Sequence, residues 1–272
     1  NNGSITITGT TAGTGTAVSL GVMTITGGTG SLSVTGTLAA AGGNTGITQT
    51  GAITIGSNGG NVSFTSNNKI TQSGGIALSA NTSGTTSSVT YDTTGGNNLS
   101  TITSGALTLT GGAAASNTAI NFIEKTSGAS ITAGAIAMPG YINLDMTNGG
   151  TVAASAATTA TGITVNGNLS AGAYAGATGI NISGISTTGT AVQLNASTLT
   201  NAVGNIVVTG RQSAAGGATG INSTGAITQN ANAGSITFTS NNVITQGGSI
   251  TIAANTTADS NITYDTTSGN YL

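Results

Sequence analysis

The 272-residue sequence contains no cysteine, no histidine and no tryptophan, a single proline, and only 3 Lys+Arg against 5 Asp+Glu. Each absence removes a class of chemistry. Without thiols there is no disulfide, no thiolate nucleophile and no sulfur ligand for zinc. Without imidazole there is neither the usual general base near neutral pH nor the commonest metal ligand. Three cations cannot neutralise a run of phosphates, so nucleic-acid binding through a basic surface is excluded. Charged residues make up 3% of the chain, where a soluble domain carries about 25%. Aromatics are equally scarce at 3%, which leaves no material for the girdles of a transmembrane barrel. The mean hydropathy is +0.22, yet no apolar run approaches the roughly 18 residues of a spanning helix. No signal peptide is visible at Asn1, so we expect a processed chain or an excerpt.

What fills the chain instead is glycine, at 46 positions, with Thr, Ser, Asn and Ala. Such a composition suits disorder when net charge is high and β-branched residues are few. Neither holds: the formal charge is −2, and Ile, Val and Thr recur in short alternating runs. Ser4-Ile5-Thr6-Ile7-Thr8, Met23-Thr24-Ile25-Thr26 and Ser31-Leu32-Ser33-Val34-Thr35 each alternate aliphatic and hydroxyl side chains. That period of two places one face inward and one in water. The runs end at glycine, where the chain bends without a Cβ. The Ala-rich stretch Thr151 to Thr161 lacks large apolar anchors and is expected to be a loop or strand. The chain reads as all-β.

A long repeat runs through it. Asn61 to Leu99 matches Ser235 to Leu272, with Phe64 answered by Phe238 and Tyr91 by Tyr264. The second pair is closer by a single deletion. Upstream, Gly15-Thr16-Ala17-Val18 matches Gly189-Thr190-Ala191-Val192. Residues 1–174 therefore form a first long repeat and 175–272 a partial second, continuous with it. The match ends within a repeat, so an excerpt of a longer tandem array is expected. A finer period lies inside. Ile47-Thr48-Gln49-Thr50-Gly51-Ala52-Ile53 recurs as Ile70-Thr71-Gln72-Ser73-Gly74-Gly75-Ile76, and looser copies are centred on Gly105, Gly134 and Gly167. The spacing of these five glycines corresponds to six coils in each long repeat.

Short strands at that spacing, glycine at the corners and no helix predict a right-handed parallel β-helix, a β-solenoid with coils of about 23–33 residues. A β-sandwich is the runner-up. In the solenoid, Ile47, Ile53, Ile70, Ile76 and Phe64 point inward, as do Ile221, Ile227, Ile244, Ile250 and Phe238.

The alternating Ile/Thr strands, Thr-Gly and Gly-Gly corners and Asn-rich turns resemble the passenger regions of filamentous-haemagglutinin-like and autotransporter-type adhesins. The resemblance is compositional and spans the whole chain. It implies a secreted β-helix on a bacterial surface.

The candidate chemistry is sparse. The acids are Asp92, Glu124, Asp145, Asp259 and Asp265. Carbohydrate cleavage on a β-helix needs clustered carboxylates, and only Asp259 and Asp265 are close in sequence. Asp92 and Asp265 occupy equivalent Tyr-Asp-Thr-Thr motifs, expected as turns in which Asp caps backbone amides. Glu124-Lys125 reads as a solvated turn. Tyr91 and Tyr264 read as packed side chains, with sugar stacking as the alternative. Gly42-Gly43 and Gly216-Gly217 are corners rather than phosphate loops. The Asn61-Val62-Ser63 and Asn81-Thr82-Ser83 sequons are expected by chance at this composition. Asn67-Asn68 and Asn241-Asn242 are expected to form turns held by side-chain amides.

No catalytic, cofactor or metal residue is assigned, and no nucleic-acid partner or membrane span is expected. Three functions fit: a structural shaft of a giant surface protein, an adhesive surface for glycan or host protein, and an ice-binding solenoid. The last would use outward Thr6/Thr8 and Thr24/Thr26, and uneven coil lengths count against it. Long near-identical repeats favour the non-enzymatic extracellular shaft. Its partners are copies of itself or neighbouring repeats, associating end to end or laterally.

Overall fold

The computed structural model describes residues 3–26, 30–39, 44–56, 60–78, 88–93, 101–105, 107–109, 119–123, 130–138, 140–146, 161–172, 178–187, 189–202, 204–213, 219–230, 234–253 and 259–266. Every described element is a β-strand, and every pairing is parallel. The strands form three sheets of ten, nine and nine members, and each sheet takes every third strand of the chain. The chain therefore winds as a β-solenoid with three strands per coil: nine complete coils and a tenth strand in the first sheet. A sandwich is excluded, because its sheets pair antiparallel strands.

Equivalent residues stand in columns. The first sheet begins with Ile5, Leu32, Val62, Val89 and Ile120, and continues Ile142, Ile180, Ile206, Ile236, Ile262. In the second sheet Val18, Ile47, Ile70, Ile102, Ile131, Ile163, Val192, Ile221 and Ile244 are in register. In the third the column is Met23, Ile53, Ile76, Leu107, Ile136, Leu169, Leu199, Ile227 and Ile250. One or two inward aliphatics per strand suffice because each coil buries its neighbour's. Phe64 and Phe238 share a column six coils apart.

Coil length shows where irregularity is absorbed. The second and third columns keep to the spacing the glycines already give, with Ile47 to Ile70 among the shortest steps and Ile136 to Leu169 the longest. The first column is less even. Its shortest step, Ile120 to Ile142, is followed directly by its longest, Ile142 to Ile180. The differences in length fall between strands along the chain, and the register inside the sheets stays continuous apart from shifts between Thr178 and Ile180 and between Thr45 and Ile47.

Of the ten residues expected inward, Ile47, Ile53, Phe64, Ile70, Ile76, Ile221, Ile227 and Phe238 are buried. Ile244 and Ile250, in the last coil of the described residues, are only partly buried against the core. Glycine serves close approach at the bend between the first and second sheets. A Cβ on Gly36 would overlap the Gly46 carbonyl, and one on its sheet neighbour Gly9 the Ala17 carbonyl. The stretch 151–160, Gly42-Gly43, Gly216-Gly217 and Asn81-Thr82-Ser83 lie outside the described residues.

Burial sets a gradient that mutation can read. Ile76→Asp places an unpaired carboxylate inside the stack and should cost about 3–5 kcal/mol. Ile250→Asp, at the same column position in the last coil, should cost clearly less because water reaches it. Denaturant midpoints of the two variants measure the difference, and equal losses would contradict the stacking.

Candidate functional site

The interior is not wholly apolar. Where the second sheet turns into the third, the inward position that ends the strand carries Gln49, Gln72, Ser104, Ser223 and Gln246 in five of the nine coils, the first four of them buried. The others carry Leu20, Ala133, Val165 and Leu194 there. The glutamines hold the glycine corners. Gln49 Nε2 donates to the Gly51 carbonyl at 2.6 Å and the Gly74 carbonyl at 3.2 Å. Gln72 Nε2 donates to Gly74 O, while its Oε1 accepts from Gly105 N at 3.0 Å. Gln246 Nε2 donates to Gly248 O at 2.9 Å. The tight turn points carbonyls inward, and a buried carbonyl needs a donor. This is the physical content of the Ile-Thr-Gln-x-Gly pattern. In the sequence that pattern serves only as a period; the fixed place of Gln before the corner is the sign of its second role.

The paired asparagines act at the opposite bend. Leu38 N donates to Asn67 Oδ1 at 2.9 Å and Asn67 Nδ2 returns a bond to Leu38 O at 2.8 Å. Six coils on, Gln212 N donates to Asn241 Oδ1 at 2.8 Å and Asn241 Nδ2 to Gln212 O at 2.7 Å. The side-chain amide thus imitates a strand and carries the ladder around the bend. Asn68 N and Asn242 N each donate to a serine hydroxyl, Ser66 Oγ and Ser240 Oγ, both at 3.0 Å. The expected amide-stabilised turns are present.

Tyr91 is packed inside the first sheet, stacked on Phe64 at 5.0 Å and edge-on to Phe122 at 4.7 Å. Its equivalent Tyr264 stacks on Phe238 at 5.1 Å but is 49% exposed in the last coil. The Tyr91 hydroxyl is buried without a hydrogen-bond partner among the described residues. Burial pushes its phenol well above the usual value.

The acids do not converge. Asp92 and Asp265 end the strands Ser88–Asp92 and Ile262–Asp265, and the expected turns continue into Thr94 and Thr267, which lie outside the described residues. They share an outward column with Asp145. Asp145 stands two coils from Asp92, about 10 Å away at the spacing between strands, and Ile123 intervenes. Asp259 is exposed, and Glu124-Lys125 lies outside the described residues. Among the described residues no three acids gather as metal ligands.

The outward faces differ from expectation in one respect. Thr6, Thr8, Thr24 and Thr26 are exposed, but the longest threonine ladder is on the second sheet: Thr48, Thr71, Thr103, Thr132 and Thr164 stand in consecutive coils. After them the column changes to Gln193 and Asn222.

That change coincides with a network of side-chain amides. Asn222 Nδ2 donates to Gln193 Oε1 at 2.9 Å, Gln193 Nε2 to Asn195 Oδ1 at 2.8 Å, and Asn195 Nδ2 to Asn166 Oδ1 at 3.0 Å. Four carboxamides thus form one directed chain across three coils. The turn that carries Asn195, between Leu194 and Leu199, has four residues. The other turns between these two sheets have two or three. Within it Ala196 has φ 42°, the one positive-φ non-glycine among the described residues. The left-handed region costs an alanine about 1–2 kcal/mol, and here Ala196 N donates to Thr224 Oγ1 at 2.9 Å.

No family model, no curated protein and no solved structure matches this chain. Its site must be judged from its own geometry. That geometry offers fixed amides and hydroxyls on flat faces.

Two variants test the interior. Tyr91→Phe removes a buried hydroxyl with no partner and should raise stability by about 1 kcal/mol. It should also change the alkaline limb. A phenol whose folded pKa is raised lends stability that is complete below its unfolded value, near 10, and is lost as pH rises toward the folded value. The variant should lose less stability than the parent in melts above pH 10, and identical alkaline limbs would contradict the burial. Asn67→Ala leaves Leu38 N and O unpaired and should cost about 1–3 kcal/mol, measurable by urea unfolding.

Proposed function

We propose that the chain is a non-enzymatic extracellular scaffold, a section of the shaft of a giant repetitive bacterial surface protein. The observation that carries this reading is the unbroken stacking of all three sheets from the first coil to the last. Backbone hydrogen bonds there run along one axis, and the inner columns repeat without a domain boundary. A rod of nine coils spans about 43 Å at the usual spacing between strands. Further coils would extend it without altering the cross-section, since each contacts only its neighbours.

The composition supports the same role. A chain without Cys can pass unfolded through an export pore without being trapped by disulfides and stack outside. The resemblance to haemagglutinin-like and autotransporter passengers points to a bacterial surface. Ile5, Val22, Val243, Ile262 and Tyr264 are the exposed large apolar residues among those described, and they belong to the first and last coils. A neighbouring repeat or a second copy stacked on these coils would cover such side chains.

The test is reach. Arrays of one to four long repeats, displayed on a cell with a fluorescent tag at the distal end, should place the tag about 29 Å farther out per repeat, six coils each. Surface-height measurement by fluorescence interference checks this. A height independent of repeat number would overturn the shaft.

A further inference from the structure

The two long repeats differ most usefully at the amide chain of the sixth to eighth coils. At the offset that aligns the repeats, the first has Ser19 where the second has Gln193, Gly21 for Asn195, and Thr48 for Asn222. A shaft needs none of these changes, because Ser19 and Thr48 keep the same columns in the same sheet. The second repeat has instead gained three carboxamides, linked them to Asn166, lengthened the turn and held Ala196 in a left-handed conformation. Backbone strain that the surroundings maintain is a recurrent mark of a functional position.

We propose that this edge binds a neutral oligosaccharide. The chemistry follows from what the amides leave available. Each carboxamide has two N–H groups and two lone pairs on its oxygen. Linking takes at most one donor and one acceptor from each member, so every one keeps a donor and an acceptor, on side chains that are exposed (Asn166, Asn195) or half-buried (Gln193, Asn222). A sugar hydroxyl both donates and accepts, and adjacent hydroxyls match an amide edge. Gln193 and Asn222 stand in consecutive coils on the same column, so they present these edges at the spacing between coils, about 4.8 Å, over which a saccharide chain can lie along the axis.

The strands that carry the cluster, Ile163–Val165, Val192–Leu194 and Ile221–Ser223, contain no charged residue. No fixed positive charge on these strands selects a carboxylate, sulfate or phosphate over a hydroxyl, and the proposed ligand is therefore uncharged. The directed hydrogen bonds fix the amides before binding, which lowers the ordering cost. No aromatic platform lies among these residues, so the site is weak. The site does not depend on the shaft reading: a rod with or without this edge is still a rod.

The experiment is nitrogen-15 NMR of the whole chain, titrated in turn with maltohexaose, cellohexaose and mannohexaose, with hexagalacturonate as the charged comparison. At least one neutral sugar should give saturable shifts of the side-chain amides of Asn166, Gln193, Asn195 and Asn222. The Asn143 and Asn181 amides, paired on the first sheet at 2.7 Å, should stay still. The double variant Q193S/N222T installs the first repeat's own residues, so it should keep the parent's melting midpoint and lose about tenfold in affinity, the scale of about 1.4 kcal/mol. Lack of saturable shifts with every neutral sugar, shifts spread equally over all faces, tighter binding of the galacturonate, or unchanged affinity in the variant would each overturn the proposal.

Discussion

Everything in this molecule depends on in-register parallel hydrogen bonding between successive coils. One coil alone cannot bury its aliphatic residues; it does so only against the coils before and after. That requirement selects the sequence. Each strand needs one or two inward aliphatics in the columns led by Ile5, Val18 and Met23. Each bend needs a way to keep its backbone groups bonded. Charge is unnecessary to either task, which is why so little of it suffices.

The bends are where specific side chains matter. Glutamine reaches from inside to hold the glycine carbonyls between the second and third sheets. Asparagine imitates a strand between the first and second. Both devices solve the same problem, a turn that would leave polar backbone buried and unpaired. The aromatic stack of Phe64, Tyr91 and Phe122 fills the interior of the first sheet, where the tyrosine is tolerated although its hydroxyl has no partner among the described residues.

Much of this was legible beforehand, for a physical reason. The strands of the second and third sheets are short and their turns hold glycine, so residues such as Ile47, Ile53, Ile70 and Ile76 recur at nearly fixed distance. The first sheet is joined by variable insertions, so the long step from Ile142 to Ile180 could not be read from glycine spacing. The threonine ladder from Thr48 to Thr164 was missed because its members are far apart in sequence and meet only through the register. The uneven coil lengths that counted against an ordered hydroxyl plane do not disturb this register, since Thr48, Thr71, Thr103, Thr132 and Thr164 pair in consecutive coils. The amide chain was hidden for a related reason. Asn166, Gln193, Asn195 and Asn222 are ordinary surface residues until three coils bring them together, and the left-handed Ala196 has no sequence sign at all.

The central claim is the stacking itself, and the absence of cysteine makes it directly measurable, because introduced thiols are the only ones to label. Thr48 and Thr245 stand on the same outward column of the second sheet, seven coils apart. Spin labels on Thr48→Cys and Thr245→Cys, read by double electron–electron resonance, should give a single narrow distance of about 34 Å at the usual strand spacing. A broad distribution, or a dominant distance much shorter than that, would contradict the solenoid.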